Sequence, residues 1–391
     1  MRARTLAVAF LAALGLAAPA PAALQPRLER ALHVPHVSLG ATGAVAVDLA
    51  TGQTIYSRNA SLPLLPASNE KLAVTYGTLT ALGPDFRIET DVLQDDAGDL
   101  ILKGYGDPTL SSAQLRVLAR QVRAAGITTV TGKVLGDESW FDTRRTALGW
   151  KAAFYLVESP PLSALIVDRG RAGRYTSRDP ALAAAQLFRA ALVRAGVQVN
   201  GGAAHGNAPD DAQVVASVDS PTLLTIVRLM DRDSDNFFAE MLLKELGAVQ
   251  GDAGTTAAGA GVVTGLLAQA GIPLDGVRLV DGSGLSLLDR LTAQALVSLL
   301  TAMWNDVEMR LELLASLPVA GRTGTLEHRM RRGAATGVVR AKTGTLDEAS
   351  ALSGYVGDRY VFSVLQNGRP VSWTWARRAQ DTFATVLASA P

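Results

Sequence analysis

The chain has 391 residues, 37 Lys+Arg against 36 Asp+Glu, a net charge of +1, 48% hydrophobic residues and no cysteine. At roughly 100 to 200 residues per domain, that length allows two or three domains, each with its own core. The balanced charge gives no electrostatic footprint for nucleic acid or anionic lipid, and the missing cysteines exclude disulfides, thiolate metal sites, iron–sulfur clusters and a thiol nucleophile.

The N-terminus carries two arginines within residues 1–4, an uncharged apolar run over 5–18, and small-residue triplets at 18–20 and 20–22. This is the pattern of a secretory signal peptide. The run stops at Pro19, whereas a spanning helix needs about 20 apolar residues. Residues 1–22 are therefore expected to be removed on export. The mature chain, which has no lipobox cysteine and no transmembrane segment, is expected to be soluble in the periplasm or another extracytoplasmic space.

Strand-like runs at 43–49 and 53–57 flank Ala50-Thr51-Gly52, which predicts a hairpin. Pro63 and Pro66 then break the chain. Apolar residues at helical spacing over 70–82 predict a helix that starts near Ser68 and stops at Gly83-Pro84. From Phe86 the texture changes: strand runs at 87–93, 99–103 and 128–135 are separated by Asp/Gly turns. An Ala-rich amphipathic helix follows over 179–195, opened by Asp179-Pro180 and closed by Gly196. Residues 87–215 are read as one mainly β domain inserted into a domain built from 23–86 and 216–391. That second part predicts helices at 221–230, 236–246, 256–271 and 292–304, strands at 337–345, 349–356 and 360–366, and a last helix at 373–388. Short links between successive strands argue for antiparallel pairing. The expected class is α/β (α+β), an antiparallel sheet flanked by helices, with one mainly β insert and no solenoid repeat.

Only four histidines are present, His33, His36, His205 and His328. They are too few and too scattered to favour a His-rich metal centre or a His-based triad. Acyl transfer without histidine needs a hydroxyl nucleophile, a base and oxyanion donors, and three motifs offer them. Ser68-Asn69-Glu70-Lys71, Ser234-Asp235-Asn236 and Lys342-Thr343-Gly344 reproduce, in order, the Ser-x-x-Lys, Ser-x-Asn and Lys-Thr-Gly signature of penicillin-recognising serine enzymes. Each alone is weak, since Ser57-Arg58-Asn59 and Arg322-Thr323-Gly324-Thr325 are near-copies in the same chain. Context strengthens them. Only one of the six lysines stands in Ser-x-x-Lys, at the first turn of a predicted helix, where a spacing of three puts Ser68 and Lys71 on one face. Ser234 and Asn236 share a direction if the backbone there is extended. Gly344 follows Lys342 and Thr343 near a strand end, where a glycine lets a substrate backbone approach.

Other readings of the same residues are weaker. Ser68 could be only an N-cap and Lys71 a solvated first-turn residue. Asp231, Asp233 and Asp235 resemble the opening of a calcium loop, but Asn236 and Leu242 stand where that loop needs Gly and Glu. Gly282-Ser283-Gly284 lacks the third glycine of a dinucleotide fingerprint, and no serine lies in Gly-x-Ser-x-Gly. No metal or other cofactor is expected.

With Pro66-Ala67-Ser68-Asn69-Glu70-Lys71-Leu72, Gly104-Tyr105-Gly106-Asp107-Pro108-Thr109-Leu110, Asp281-Gly282-Ser283-Gly284-Leu285-Ser286 and Leu317-Pro318-Val319-Ala320-Gly321 added, the chain resembles the class C low-molecular-mass penicillin-binding proteins. These are D-alanyl-D-alanine carboxypeptidases and endopeptidases of the S13 type. The resemblance runs over nearly the whole mature chain and implies peptidoglycan stem peptides as substrate and β-lactams as covalent inhibitors. Ser68 would be the nucleophile and Lys71 the base, kept neutral by burial and by the neighbouring cation Lys342. Ser234 would relay a proton to the leaving amine, Asn236 would bind the substrate amide, and Lys342, Thr343 and Thr345 would take the terminal carboxylate. The family pattern further implies an oxyanion hole made by the backbone N–H groups of Ser68 and Thr345.

The sequence departs from better-known members in one place. They carry a nested third domain after a segment like Ser163-Ala164-Leu165-Ile166-Val167-Asp168-Arg169, whereas here only residues 170–178 precede the helix at Asp179. That domain is expected to be absent. A β-lactamase would share the motifs, but the Glu-x-x-x-Asn pattern of the class A loop occurs nowhere. A non-catalytic peptidoglycan-binding module predicts damaged motifs, and all three are intact. An esterase on the same fold stays open.

Overall fold

The computed structural model describes residues 20–172 and 175–390. Most of the expected signal segment, residues 1–19, lies outside the described residues.

A five-stranded sheet runs in the order Val339–Leu346, Ala349–Val356, Tyr360–Asn367, Thr42–Asp48, Thr54–Arg58, and every neighbouring pair is antiparallel. The pairing of Thr42 with Gln366 and Asp48 with Tyr360 joins the two ends of the chain. Strand Ala349–Val356 is buried along its whole length because both faces of the sheet are covered. With side chains alternating between faces, Ala44, Ala46, Leu352, Phe362 and Val364 meet Leu24, Leu28, Phe383 and Leu387 of two terminal helices, Ala20–Leu32 and Trp373–Ala388. Val45, Ala351, Val361 and Leu365 face the other way, onto a core built from Leu72, Leu296 and Leu300 of helices Lys71–Leu82 and Ala293–Asn305.

Most expected elements are present, with shifted ends. The run at 221–230 is helix Leu223–Asp233, and those at 236–246 and 256–271 are Asn236–Gln250 and Thr256–Gln269. Two helices of this part were not anticipated. In Ala20–Leu32, buried Leu24, Leu28, Ala31 and Leu32 form an apolar stripe, which Pro26 and the adjoining leader-like run obscure. Val307–Ser316 begins one residue after the preceding helix ends, at Asp306, whose side chain accepts from Met309 N at 3.0 Å.

A second five-stranded sheet has the order Ala203–His205, Val134–Asp137, Leu100–Gly104, Glu89–Gln94, Gln213–Asp219. It is mixed: the first three strands are parallel and the last three antiparallel. The predicted run at 128–135 splits into Thr129–Val130 and Val134–Asp137. Between them a Cβ on Gly132 would lie 1.9 Å from Asp99 Oδ1, so the chain turns there around an aspartate. Helix Pro180–Arg194 is capped as expected, with Asp179 accepting from Leu182 N at 3.2 Å and Gly196 at φ +82°. Helix Ser112–Ala124 packs beside it and was missed. Its signal was a Ser111/Gln114 capping box followed by Leu115, Leu118, Ala119 and Val122 on one face. Among the described residues no helix is long and apolar enough to cross a membrane.

Candidate active site

After the break at Pro63 and Pro66, Ala67–Glu70 form a 3-10 turn that runs straight into helix Lys71–Leu82. Ala67 sits at φ +46°, a left-handed conformation costly for a residue with a Cβ. Three contacts hold it. A Cβ on Gly284 would lie 1.9 Å from Ala67 O, and one on Gly344 would lie 2.7 Å from Pro66 O. Asn69 Nδ2 donates to Lys342 O at 3.1 Å. The serine turn is thus clamped between strand Val339–Leu346 and the loop at 281–286. Gly344 is required by this packing, a reason that the assignment of the glycine to substrate did not contain.

Lys71 is fully buried, and its Nζ reaches Ser68 Oγ at 3.0 Å, Asn236 Oδ1 at 2.8 Å and Ser283 O at 2.6 Å. Burial pushes its pKa down to about 8, against the pull of Asp281, Glu240, Asp235 and Asp231. The reading of Lys71 as a solvated surface residue is therefore excluded. Ser68 does not cap the helix either, since Glu70 holds that position and no side chain caps there. A neutral amine has two N–H donors and one lone pair. With Asn236 Oδ1 and Ser283 O taking the donors, the lone pair is left for the Ser68 hydroxyl.

Lys342, equally buried, donates to Ser234 Oγ at 2.8 Å and Thr343 O at 3.2 Å. Burial, then repulsion from Lys71, lower its pKa to about 7, with Asp231 opposing. Ser234 and Asn236 do not lie on an extended run. Ser234 ends helix Leu223–Asp233 in a left-handed conformation (φ 59°, ψ 41°), and Asp235 caps the next helix by accepting from Phe238 N at 3.1 Å. The sharp corner, which Arg169 braces by donating to Asp235 Oδ2 at 2.5 Å, aims Ser234 at Lys342 and Asn236 at Lys71.

Ser68, Ser234, Asn236, Thr343 and Thr345 all line one cleft of about 530 Å3, together with Phe154, Leu285, Leu346 and Trp373. Sequence reasoning missed Thr325, which accepts from Thr343 Oγ1 at 2.7 Å, and Arg377, whose guanidinium lies 3.3 Å from Thr345 Oγ1. Thr325 belongs to the stretch set aside as a near-copy of the third motif. The three aspartates of the calcium-like run point apart: Asp231 accepts from Thr75 and Ser316, Asp233 pairs with Arg232, and Asp235 caps a helix.

A serine hydroxyl is thus held against a buried lysine, beside an antiparallel sheet flanked by helices, an arrangement suited to acyl transfer by a serine hydrolase. The family model described as the D-Ala-D-Ala carboxypeptidase 3 (S13) family matches residues 24–176 and 172–390, and the chain belongs to this family of serine peptidases. It is 33% identical to the D-alanyl-D-alanine carboxypeptidase of Actinomadura sp. (strain R39), over 93% of this chain and 84% of the relative. It is also 33% identical to carboxypeptidase DacB of Mycolicibacterium smegmatis, over 96% of this chain and 86% of that protein. The fold matches the crystal structure of penicillin binding protein 4 from Haemophilus influenzae with a TM-score of 0.79 and 21% identity, covering 92% of this chain and 98% of that one.

Proposed function

We propose that this protein is an exported serine D-Ala-D-Ala carboxypeptidase acting on peptidoglycan stem peptides through an acyl-enzyme on Ser68. The observation that carries this reading is the 3.0 Å contact of the fully buried Lys71 Nζ with Ser68 Oγ at the cleft. Neutral Lys71 takes the Ser68 proton as Oγ attacks the carbonyl between the two D-alanines. Backbone N–H groups of Ser68 and Thr345 receive the oxyanion, and Ser234, held by Lys342, passes a proton to the departing amine. Water then hydrolyses the ester. Asn236 binds the substrate amide, and Lys342, Thr343 and Thr345 face its carboxylate. In penicillin the leaving nitrogen stays tethered after ring opening, and without a second base the adduct persists. A cross-linked substrate with a larger leaving group is the second reading, favoured because Asp347 lines both the cleft and an adjoining cavity of about 780 Å3.

Residues 1–22 are the export signal in this reading. Buried Leu24, Leu28, Ala31 and Leu32 of helix Ala20–Leu32 all lie beyond a cleavage after Ala22. Residues 87–215 form the insert. The absence of a third domain is supported by the family match, which breaks at 172–176, where Arg171–Ala172 and Tyr175–Thr176 pair as a short ribbon.

Intact mass after exposure to penicillin tests the assignment. Wild type should gain one penicillin and Ser68→Ala none. An unmodified wild type overturns the reading, an adduct on Ser68→Ala moves the nucleophile, and rapid turnover of penicillin makes the protein a β-lactamase.

A further inference from the structure

Beneath Lys71 lie four carboxyl groups with no role so far, on Glu70, Glu240, Asp281 and Asp289, each at most 1% exposed. Their partners divide them. Neither oxygen of Glu70 has a hydrogen-bond partner, and burial, then Asp281 and Glu240, raise it well above the usual carboxylate range. Asp289 accepts from Val280 N and Asp281 N, and burial, then Asp281, raise it in the same way. Glu240 Oε1 accepts from Gly282 N at 3.0 Å and Ser283 N at 2.8 Å, yet burial still pushes this carboxyl up to about 8.

Asp281 differs from the other three. Its Oδ1 accepts from Gly284 N at 2.7 Å, and its Oδ2 from Ser286 N at 2.8 Å, Trp150 Nε1 at 2.8 Å and Ser283 Oγ at 3.1 Å. Four donors converge on this one carboxylate, and three of them belong to the loop that presents the Ser283 carbonyl to Lys71 Nζ. We propose that Asp281 is a positioning residue of the active site: it folds the 281–286 loop onto Lys71, and its negative charge governs whether Lys71 holds a proton.

Other charged groups face Lys71 too. Glu240 and Asp235 come from helix Asn236–Gln250 and its cap, Asp231 from the preceding helix, Glu70 from the serine turn and Lys342 from the strand opposite. Burial raises Glu70 and Glu240, the latter to about 8, and so weakens their pull on Lys71. Asp231 lies against Lys342 and Asp235 against Arg169. Asp281 is left as the anion with no cationic partner of its own among the described residues. Burial alone would strip the proton from Lys71. The anion opposes that, leaving an amine that can both take the serine proton and give it back.

The inference rests on Lys71 being the base, so the experiment reads the lysine separately from the rate. The full mature chain, labelled with 13C at lysine Cε, is titrated by NMR, with Lys71→Gln identifying the resonance among six lysines. The pH profile of acylation by penicillin is measured in parallel. In Asp281→Asn both midpoints should move to lower pH by about one unit, the size expected for one partly screened buried charge. Glu70→Gln, which replaces a carboxyl that burial already holds well above the usual range, should leave both in place. If Asp281→Asn does not fold, Asp281→Ser, with space for water at the stranded donors, gives the same readout. An unmoved Lys71 resonance with acylation slowed equally at every pH would overturn the proposal. A moved resonance with an unmoved acylation limb would uphold it and remove Lys71 as the base.

Discussion

A Cβ on Gly284 would lie 1.9 Å from the carbonyl oxygen of Ala67, the residue before the serine. Both residues are left-handed, at φ +78° and +46°, so the loop and the turn interlock where only hydrogen fits. Gly284→Ala must displace Ala67, and Ser68 moves with it. Misplacement by about 1 Å can cost 100-fold in rate, so acylation by penicillin is expected to fall by about that factor or more. Gly265→Ala is the control. It lies within helix Thr256–Gln269 with nothing within 4 Å of the new methyl, and should stabilise by about 0.5–1 kcal/mol with acylation unchanged. Stopped-flow acylation and thermal melts of the two variants decide.

Two buried lysines lose their protons at different pH, and the pH profile should report it. Lys71 lies near 8 and Lys342 near 7. With Lys71 as the proposed base, acylation needs it neutral and should climb with pH along a limb whose midpoint is near 8. Lys342 has lost most of its charge at that midpoint, so Lys342→Met is expected to leave the limb in place. The plateau should fall, because the hydrogen bond to Ser234 and the proposed contact with the substrate carboxylate are lost. Rate profiles of the two proteins test this, and a limb that moves would contradict it.

Helix Ala20–Leu32 is tied to the sheet through Glu29, which takes hydrogen bonds from the Tyr56 hydroxyl and the Arg58 guanidinium. Desolvation pushes Glu29 up, but hydrogen bonds from Tyr56, Arg58 and His33 outweigh it and bring the carboxyl to about 2, below its ordinary 4.5. The folded state therefore binds this proton more weakly than the unfolded chain. The stabilisation is complete above pH 4.5 and drains away as pH falls toward 2. Glu29→Gln should lose it at neutral pH and leave residues 24–32 open to limited proteolysis. An unchanged cleavage pattern at pH 7 would show that apolar packing alone docks the helix.

Wherever one local rule acts, the sequence was enough to read the sheet and the proximity of the candidate residues. Spacing of three placed Lys71 against Ser68, and alternation placed the three C-terminal strands within two residues. What escaped depends on contacts distant in sequence. Nothing local says that Gly344 and Gly284 exist to seat the Pro66-Ala67 turn, or that the corner at Ser234 is left-handed. Thr325 is 18 residues from the Thr343 that it meets. Asp281 was legible only as part of a family-like string, because its role comes from donors on Trp150 and its own loop. Helix Ser112–Ala124 was an avoidable miss, since its capping box stands in the sequence.

Glu245 offers a test of burial away from the catalytic groups. It is 2% exposed on helix Asn236–Gln250, accepts from Trp140 Nε1 at 2.8 Å, and is pushed by burial up to about 7 from an ordinary 4.5. Between those two values the folded protein keeps a proton that the unfolded chain has released. Stability should therefore fall as pH rises across that window and stay low above it. Glutamine keeps an oxygen for the indole N–H and never ionises. Glu245→Gln is expected to leave the melting temperature unchanged below pH 4.5 and to raise it by several degrees above pH 7. Melts across that range read the effect directly: a shift of equal size at both ends would trace the gain to packing instead of the proton.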